Sequence, residues 1–186
     1  VICGVVLAAG TASRFGGTKQ IVPVDGKPLV AHAVDAFRAA GVDEVLVVVG
    51  HDEQAVRAVL PPDVGVVANP AYRDGQATSL AAALHAVSAS SEAAVILLAD
   101  QPGITGGDVV ALIEGFRQTR SQIVRLAFTD GPGPALLSRE IYAEAGHLHG
   151  DAGARVLMAS HPEWVHTVTI DRPAPRDIDT QKDLPR

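Results

Sequence analysis

Short runs rich in Val and Leu alternate with longer amphipathic stretches along all 186 residues, and this rhythm constrains the fold more than any other feature of the chain. ICGVVLA (2–8), EVLVVVG (44–50), VGVVAN (64–69), AAVILLA (93–99) and SQIVRLAF (121–128) are close to continuous in hydrophobicity. Strands covered by helices on both faces have that character. VHTVTI (165–170) reads as a late strand. Helical spacing runs through PLVAHAVDAFRAAG (28–41), DEQAVRAVL (52–60), an alanine-rich segment from Thr78 or Ser79 to about Ser88, residues 106–119 behind a Thr105 cap, and DAGARVLMASH (151–161). QIVPVDGKP (20–28) reads as a short hairpin-like excursion. DGPGPALLSREIYAEAG (130–146) reads as a Gly-Pro turn, an apolar stretch and a helix. The pattern predicts one domain over residues 1–186 of α/β class, a Rossmann-like three-layer αβα sandwich around a mostly parallel sheet.

Composition narrows the function. Aromatic residues make up only 4% against 47% apolar, so Val, Ala and Leu must fill the core. A net charge of −6 leaves no broad basic face for nucleic acid or an anionic membrane. The opening apolar run has no basic leader and is too short to span a bilayer, so a cytoplasmic protein is expected. One cysteine, Cys3, gives no disulfide framework and reads as a buried thiol. The seven histidines are scattered and show no metal-ligand spacing.

The first strand is expected to end near Ala8, placing residues 9–19 at the carboxyl edge of the sheet, where ligands collect. Within VVLAAGTASRFGGTK (5–19), glycines at 10, 16 and 17 allow close backbone approach, and Arg14 and Lys19 add two cations. In an acidic chain those cations act locally, and the combination describes a cradle for a polyphosphate. The bland alternative is a mobile glycine-rich loop with solvated cations. A Walker loop is excluded, because Thr18 separates Gly17 from Lys19 and Gln20 follows. A dinucleotide fingerprint is excluded because the loop runs into QIVPVDGKP rather than a helix.

The segment from Leu7 to Lys19, L-A-A-G-x-x-x-R-x-G-x-x-K, resembles the signature of nucleotidyltransferases that act on phosphorylated acceptors. The closer resemblance is to the molybdenum cofactor cytidylyltransferases. PVDGKPLV (23–30), NPAYRDGQATSL (69–80), LLADQP (97–102), GDAGAR (150–155) and DIDTQKDL (177–184) follow in the same order, so the resemblance extends over nearly the whole chain. It implies a Mg²⁺-dependent enzyme that moves CMP from CTP onto molybdopterin and releases pyrophosphate. CTP and molybdopterin are then its partners, with transient contact to a molybdenum hydroxylase or its insertion factor. LAAG and ADQP resemble the cytidylyl branch rather than the guanylyl one.

The attacking acceptor phosphate is already an anion, so the chemistry needs charge neutralisation rather than a strong base. Arg14, Lys19 and Asp100 are the expected catalytic residues. Asp100 follows a strand end directly and suits Mg²⁺; its other reading is the cap of the next helix, a role Thr105 also fits. Asp177 and Asp179 alternate along a strand-like DID, so only one of them can readily face the site. The resemblance, which implies a late Asp or Asn near there, selects Asp177 as the second metal carboxylate; a solvated turn is the other reading for both. The resemblance places Leu7, Ala8, Ala9, Gly10, Asn69, Gly75, Thr78 and Ser79 around the nucleoside. Free N–H groups at a helix start provide a physical reason for the last three, and plain capping an equal one. Asp151 and Arg155 read either as contacts to the acceptor or as a local ion pair four residues apart.

The chain departs from the family at Pro132-Gly133-Pro134, where a polar residue usually stands between Gly and Pro, and at Phe15, where Met is common. Three alternatives therefore stand beside the leading one. They are transfer to another phosphorylated acceptor, an NAD(P)H-dependent reductase, and a non-catalytic cofactor-handling protein.

Overall fold

The apolar runs form strands in the computed structural model, which describes residues 1–42, 44–151 and 153–185. In chain order these residues give β1 (Ile2–Leu7), β2 (Pro23–Val24), β3 (Lys27–Pro28), α1 (Leu29–Ala39), β4 (Glu44–Val49), α2 (Glu53–Val59), β5 (Gly65–Ala68) and α3 (Gln76–Ala86). There follow β6 (Ala93–Leu98), α4 (Gly106–Thr119), β7 (Ile123–Phe128), β8 (Gly131–Ser138), α5 (Tyr142–Gly146), α6 (Gly153–Ser160) and β9 (Val165–Ile170). The main sheet has the order β5-β4-β1-β6-β8-β7-β9, and β2 with β3 forms a separate small hairpin. Among the described strands of the main sheet only β8 runs against its neighbours; β1, β4, β5 and β6 pair parallel, as do β7 and β9.

Alternate strand residues feed two cores. Val45, Val47 and Val49 face Val34 and Phe37 of α1, Val56 of α2, and Leu112 and Phe116 of α4. Leu46 and Val48 face the other layer, with Leu80 and Leu84 of α3 and Leu157 of α6. Each fully buried side chain of this size contributes about 1.5–3 kcal/mol on leaving water. A third, smaller cluster of Phe15, Val24, Leu29 and Ile178 joins the opening loop to the end of the chain.

One segment differs from its sequence reading. The expected Gly-Pro turn is the first half of β8. β6 pairs with β8 only over Ala135–Ser138, so Pro132 and Pro134 lie beyond that ladder. A register shift between Arg125 and Ala127 of β7 absorbs the rest, and proline is tolerated in strands under those conditions. No helix among the described residues is long and apolar enough to cross a membrane.

Candidate active site

Chain order reverses between β1 and β6, which lie side by side with Leu7 opposite Leu98. The crevice beyond their carboxyl ends is the topological switch point, where open α/β sheets bind ligands. A cavity of about 490 Å³ opens there. Residues 7–14, Lys19 and Gln20 form one side; Tyr72, Arg73, Gly75, Gln76 and Ser79 come from the segment leading into α3. Leu98, Ala99 and Asp100 come from β6 and its end, and Asp151 and Asp179 complete the lining.

Lys19 is the centre of its charges. Its side chain is 12% exposed, and Nζ donates to Asp100 Oδ2 at 2.8 Å, the Ile178 carbonyl at 3.0 Å and Asp179 Oδ1 at 3.3 Å. Arg14 is 76% exposed and reaches Asp179 Oδ2 at 3.5 Å. Asp100 Oδ1 is buried without a hydrogen-bond partner. An unpartnered carboxylate oxygen at a strand end is a ready donor to a hard cation. Among the described residues, the backbone N–H groups of residues 10–14 meet no internal acceptor. Consecutive unpaired N–H groups beside two cations form a concavity suited to phosphate oxygens.

The loop carrying these groups is fastened at several points. Gln20 Nε2 donates to the carbonyls of Ala8 and Gly10 at 3.0 and 2.9 Å. Thr18 Oγ1 donates to Asp52, after β4. The last residues lie across it: Ile178 N donates to the Asp100 carbonyl at 2.9 Å, and Gln181 Nε2 to the Phe15 carbonyl at 3.3 Å.

Of the residues singled out from sequence, Leu7, Ala8, Ala9, Gly10, Arg14, Lys19, Gly75, Ser79, Asp100 and Asp151 line the cavity together. Asn69 and Thr78 stand behind it. Asn69 Nδ2 donates to both Thr78 Oγ1 and Ser79 Oγ at 2.9 Å, so this asparagine orders the helix start rather than lining the cavity. Asp100 does not cap α4: Thr105 does, in a reciprocal capping box with Asp108.

Three expectations need correction. The start of α3 lies at Gln76, not Thr78, and its N–H groups are not free. Ala77 N donates to the Gly150 carbonyl at 2.9 Å and Gln76 N to Asp151 Oδ1 at 3.2 Å. Gly75, at φ 109°, permits this: a Cβ there would stand 2.4 Å from Gly150. Asp151 is thus turned to the helix start and makes no ion pair with Arg155 among the described residues. Arg155 is exposed on α6, outside the cavity lining. Finally, the DID segment is not a strand, and Asp179, not Asp177, is the carboxylate on Lys19. Asp177 accepts from Gln101 Nε2 at 2.8 Å and lies outside the cavity lining. Partial desolvation of this otherwise exposed residue raises its carboxyl above the ordinary aspartate range, and the Asp100 and Asp179 charges push the same way against the Gln101 amide and the Lys19 charge.

Sequence reasoning assigned no role to Gln20, Tyr72, Arg73 or Gln76, all of which line the cavity. The only signal for the last three was their place inside NPAYRDGQATSL; for Gln20 there was none beyond adjacency to Lys19. Gly133 stands where the family resemblance leads one to expect a polar residue. A Cβ there would sit 2.6 Å from Phe128 and 2.8 Å from Leu126, so in this strand the position faces apolar packing.

Residues 4–165 match the MobA-like NTP transferase domain. Over its full length the chain is 31% identical to nicotine blue oxidoreductase of Paenarthrobacter nicotinovorans, covering 95% of that protein. It is 35% identical over 133 residues to the bifunctional protein GlmU of Rhizobium leguminosarum bv. trifolii, a match of 69% of this chain to 29% of that one. The crystal structure of Rv0371c from Mycobacterium tuberculosis H37Rv is similar with a TM-score of 0.89 and 32% identity, over 98% of this chain and 94% of that one. A manganese complex of Rv0371c gives 0.84 at 32% identity over 98% and 94%. A nucleotidyl transferase from Methanothermobacter gives 0.81 at 25% identity over 98% and 93%.

Proposed function

Because the chain belongs to the MobA-like NTP transferase family and is a nucleotidyltransferase, we propose that it transfers CMP from CTP to the terminal phosphate of molybdopterin. A phosphate oxygen of the acceptor bonds to the α-phosphorus as the bond from that phosphorus to the β-phosphate bridging oxygen breaks, and pyrophosphate leaves. The observation that carries the reaction type is Asp100, with one oxygen on Lys19 and the other buried and unpartnered, beneath a loop of unused N–H groups. The LAAG and ADQP segments support cytidine, and GDAGAR supports a pterin acceptor.

Each residue has a task that this geometry allows. Residues 10–14 and Arg14 hold the triphosphate oxygens, and Lys19 faces charge developing on the leaving pyrophosphate. Asp100 and Asp179 would hold Mg²⁺, which supplies charge neutralisation across the phosphates when bound. Among the described residues no three or more His, Cys, Asp or Glu are arranged to hold a metal ion, so the two carboxylates leave the remaining positions to phosphate and water, as Mg²⁺ prefers. The manganese complex of the similar Rv0371c is in keeping with a divalent ion. The cytoplasm suits a chain whose single cysteine stays free, and a molybdenum hydroxylase or its insertion factor would take the product.

The full-length likeness to nicotine blue oxidoreductase favours one second reading, a reductase that binds NAD(P)H in the same cavity. One experiment separates the two. The protein is incubated with molybdopterin and Mg²⁺ plus CTP, GTP or ATP while pyrophosphate is measured, and NAD(P)H binding is titrated in parallel. Release with CTP supports the proposal. Release with GTP alone overturns the base assignment, and no release combined with saturable NAD(P)H binding transfers the site to the reductase reading.

A further inference from the structure

Gln20 lines the cavity yet is only 2% exposed. Both protons of its amide are committed, to the Ala8 carbonyl at the end of β1 and to the Gly10 carbonyl two residues on. Two carbonyl neighbours fix which end of the amide faces them, since only the NH₂ end can donate. The opposite end, Oε1, is then buried without a partner. A buried, unpartnered carbonyl costs the fold free energy, so an apolar side chain of the same shape would serve packing at least as well. What glutamine alone adds is a pair of donors that ties residues 8 and 10 to residue 20.

That tie closes the loop upon itself. Residues 9–19 leave the sheet at Ala8 and return on the 3₁₀ turn Lys19–Ile21, on which Lys19 points to Asp100 and Gln20 points to the loop's mouth. One turn thereby delivers the cation and sets the spacing at which the N–H groups of residues 10–14 meet a ligand. We propose that Gln20 is a positioning residue for the nucleotide, a latch that holds the phosphate loop open in its receiving form. It touches no reacting atom, and its effect falls on triphosphate affinity rather than on the fold or the chemical step. The proposal rests on the nucleotidyl reading above.

The test uses Gln20→Met, which keeps the shape and removes both donors, and Gln20→Glu, which sets a carboxylate against two carbonyls. Three quantities are measured on the full chain: amide hydrogen exchange of residues 9–19 without ligand, the Kd for CTP with Mg²⁺, and the melting temperature. For Gln20→Met, loop exchange quickens and Kd rises about tenfold, because the untied loop must be re-ordered when the triphosphate binds. Its kcat at saturating CTP stays within about twofold, and its melting temperature within about 3 °C. Gln20→Glu binds more weakly still. Wild-type exchange and affinity in Gln20→Met overturn the latch, as does a fallen melting temperature with Kd unchanged. Collapse of both variants also overturns it, because the effect would then be on folding. Should the wild type bind no CTP, the nucleotidyl reading fails and the positioning role with it, whereas a wild type that binds CTP beside a Gln20→Met variant of unchanged Kd overturns the latch alone.

Discussion

The two edges of the same sheet are both built from charged and polar side chains, yet they use them in opposite ways. At the amino edge, Arg139 spends its guanidinium on backbone carbonyls: Nε donates to Ser91 at 2.5 Å and Nη2 to Ser88. Arg120 pairs with Glu92 at 2.7 Å. The buried polar atoms left over there, Ser138 Oγ and Tyr142 OH, are neutral hydroxyls. At the carboxyl edge, the leftover atoms are the Gln20 amide oxygen and an Asp100 carboxylate oxygen, and the cation beside that carboxylate is shared between two carboxylates. A neutral hydroxyl buried without a partner costs far less than an unmatched carboxylate, which invites a cation. The difference separates an edge that holds the fold from an edge kept ready for a charged ligand.

The sharpest way to break this contrast is to remove the unmatched charge. Asp100→Asn keeps the shape and one acceptor, so the fold is expected to survive, while turnover with CTP falls about 10³-fold. A variant within tenfold of wild type would mean that the carboxyl edge is as structural as the amino edge. Lys19→Met follows, with a loss of about 10²-fold in kcat/KM. Because Asp100 and Asp179 then lose their shared cation, added Mg²⁺ should stabilise this variant to heat more than it does the wild type. An equal Mg²⁺ response would deny that the two carboxylates converge on one ion.

How much of this was legible beforehand depends on what local sequence can encode. The parallel half of the sheet was readable because the apolar runs of β1, β4 and β6 are nearly continuous, as strands buried on both faces are. Lys19 and Asp100 were readable because a glycine-rich loop and a strand end sit at the same edge in any such sheet. β8 was not, since its prolines signal a turn unless the neighbouring ladder is known to stop at Ala135. The choice between Asp177 and Asp179 failed for a related reason. Residues 173–179 have no regular backbone period, so alternation gave no phase, and only Ile178 docking beside Phe15 and Leu29 fixes which carboxylate turns inward. Asp151 was misjudged because its partner, the start of α3, lies 75 residues away. Gln20 was invisible: nothing in a Lys-Gln pair announces that one side chain reaches a carboxylate and the other is buried.

At the amino edge the contrast predicts the reverse phenotype. Arg139→Met removes two charge-assisted bonds to part-buried carbonyls and a guanidinium 5.1 Å from the Tyr142 ring. Such bonds contribute about 1.5–3 kcal/mol each at most, so a loss of about 2 kcal/mol, or about 4–8 °C in melting temperature, is expected. The kcat of the folded fraction should stay at the wild-type value. A variant that melts normally but turns over poorly would erase the division between the edges.

The smallest effect concerns Cys3, on β1 beside Glu44. Burial, aided by the Glu44 charge, pushes this thiol up to about 12 from its ordinary 9. In the unfolded chain the thiol ionises near its ordinary value, so between about pH 9 and 12 the folded state binds the extra proton. Stability therefore falls as pH rises through that window, by at most about 1.4 kcal/mol per pH unit, and is untouched below it. Cys3→Ala removes this slope while adding a pH-independent cavity cost. Denaturant titrations at pH 8 and pH 10 should show the wild type losing more stability across that interval than Cys3→Ala. Equal losses would place the thiol in contact with solvent, and the amino edge would then be less closed than its carbonyl-bound arginine and buried strands make it.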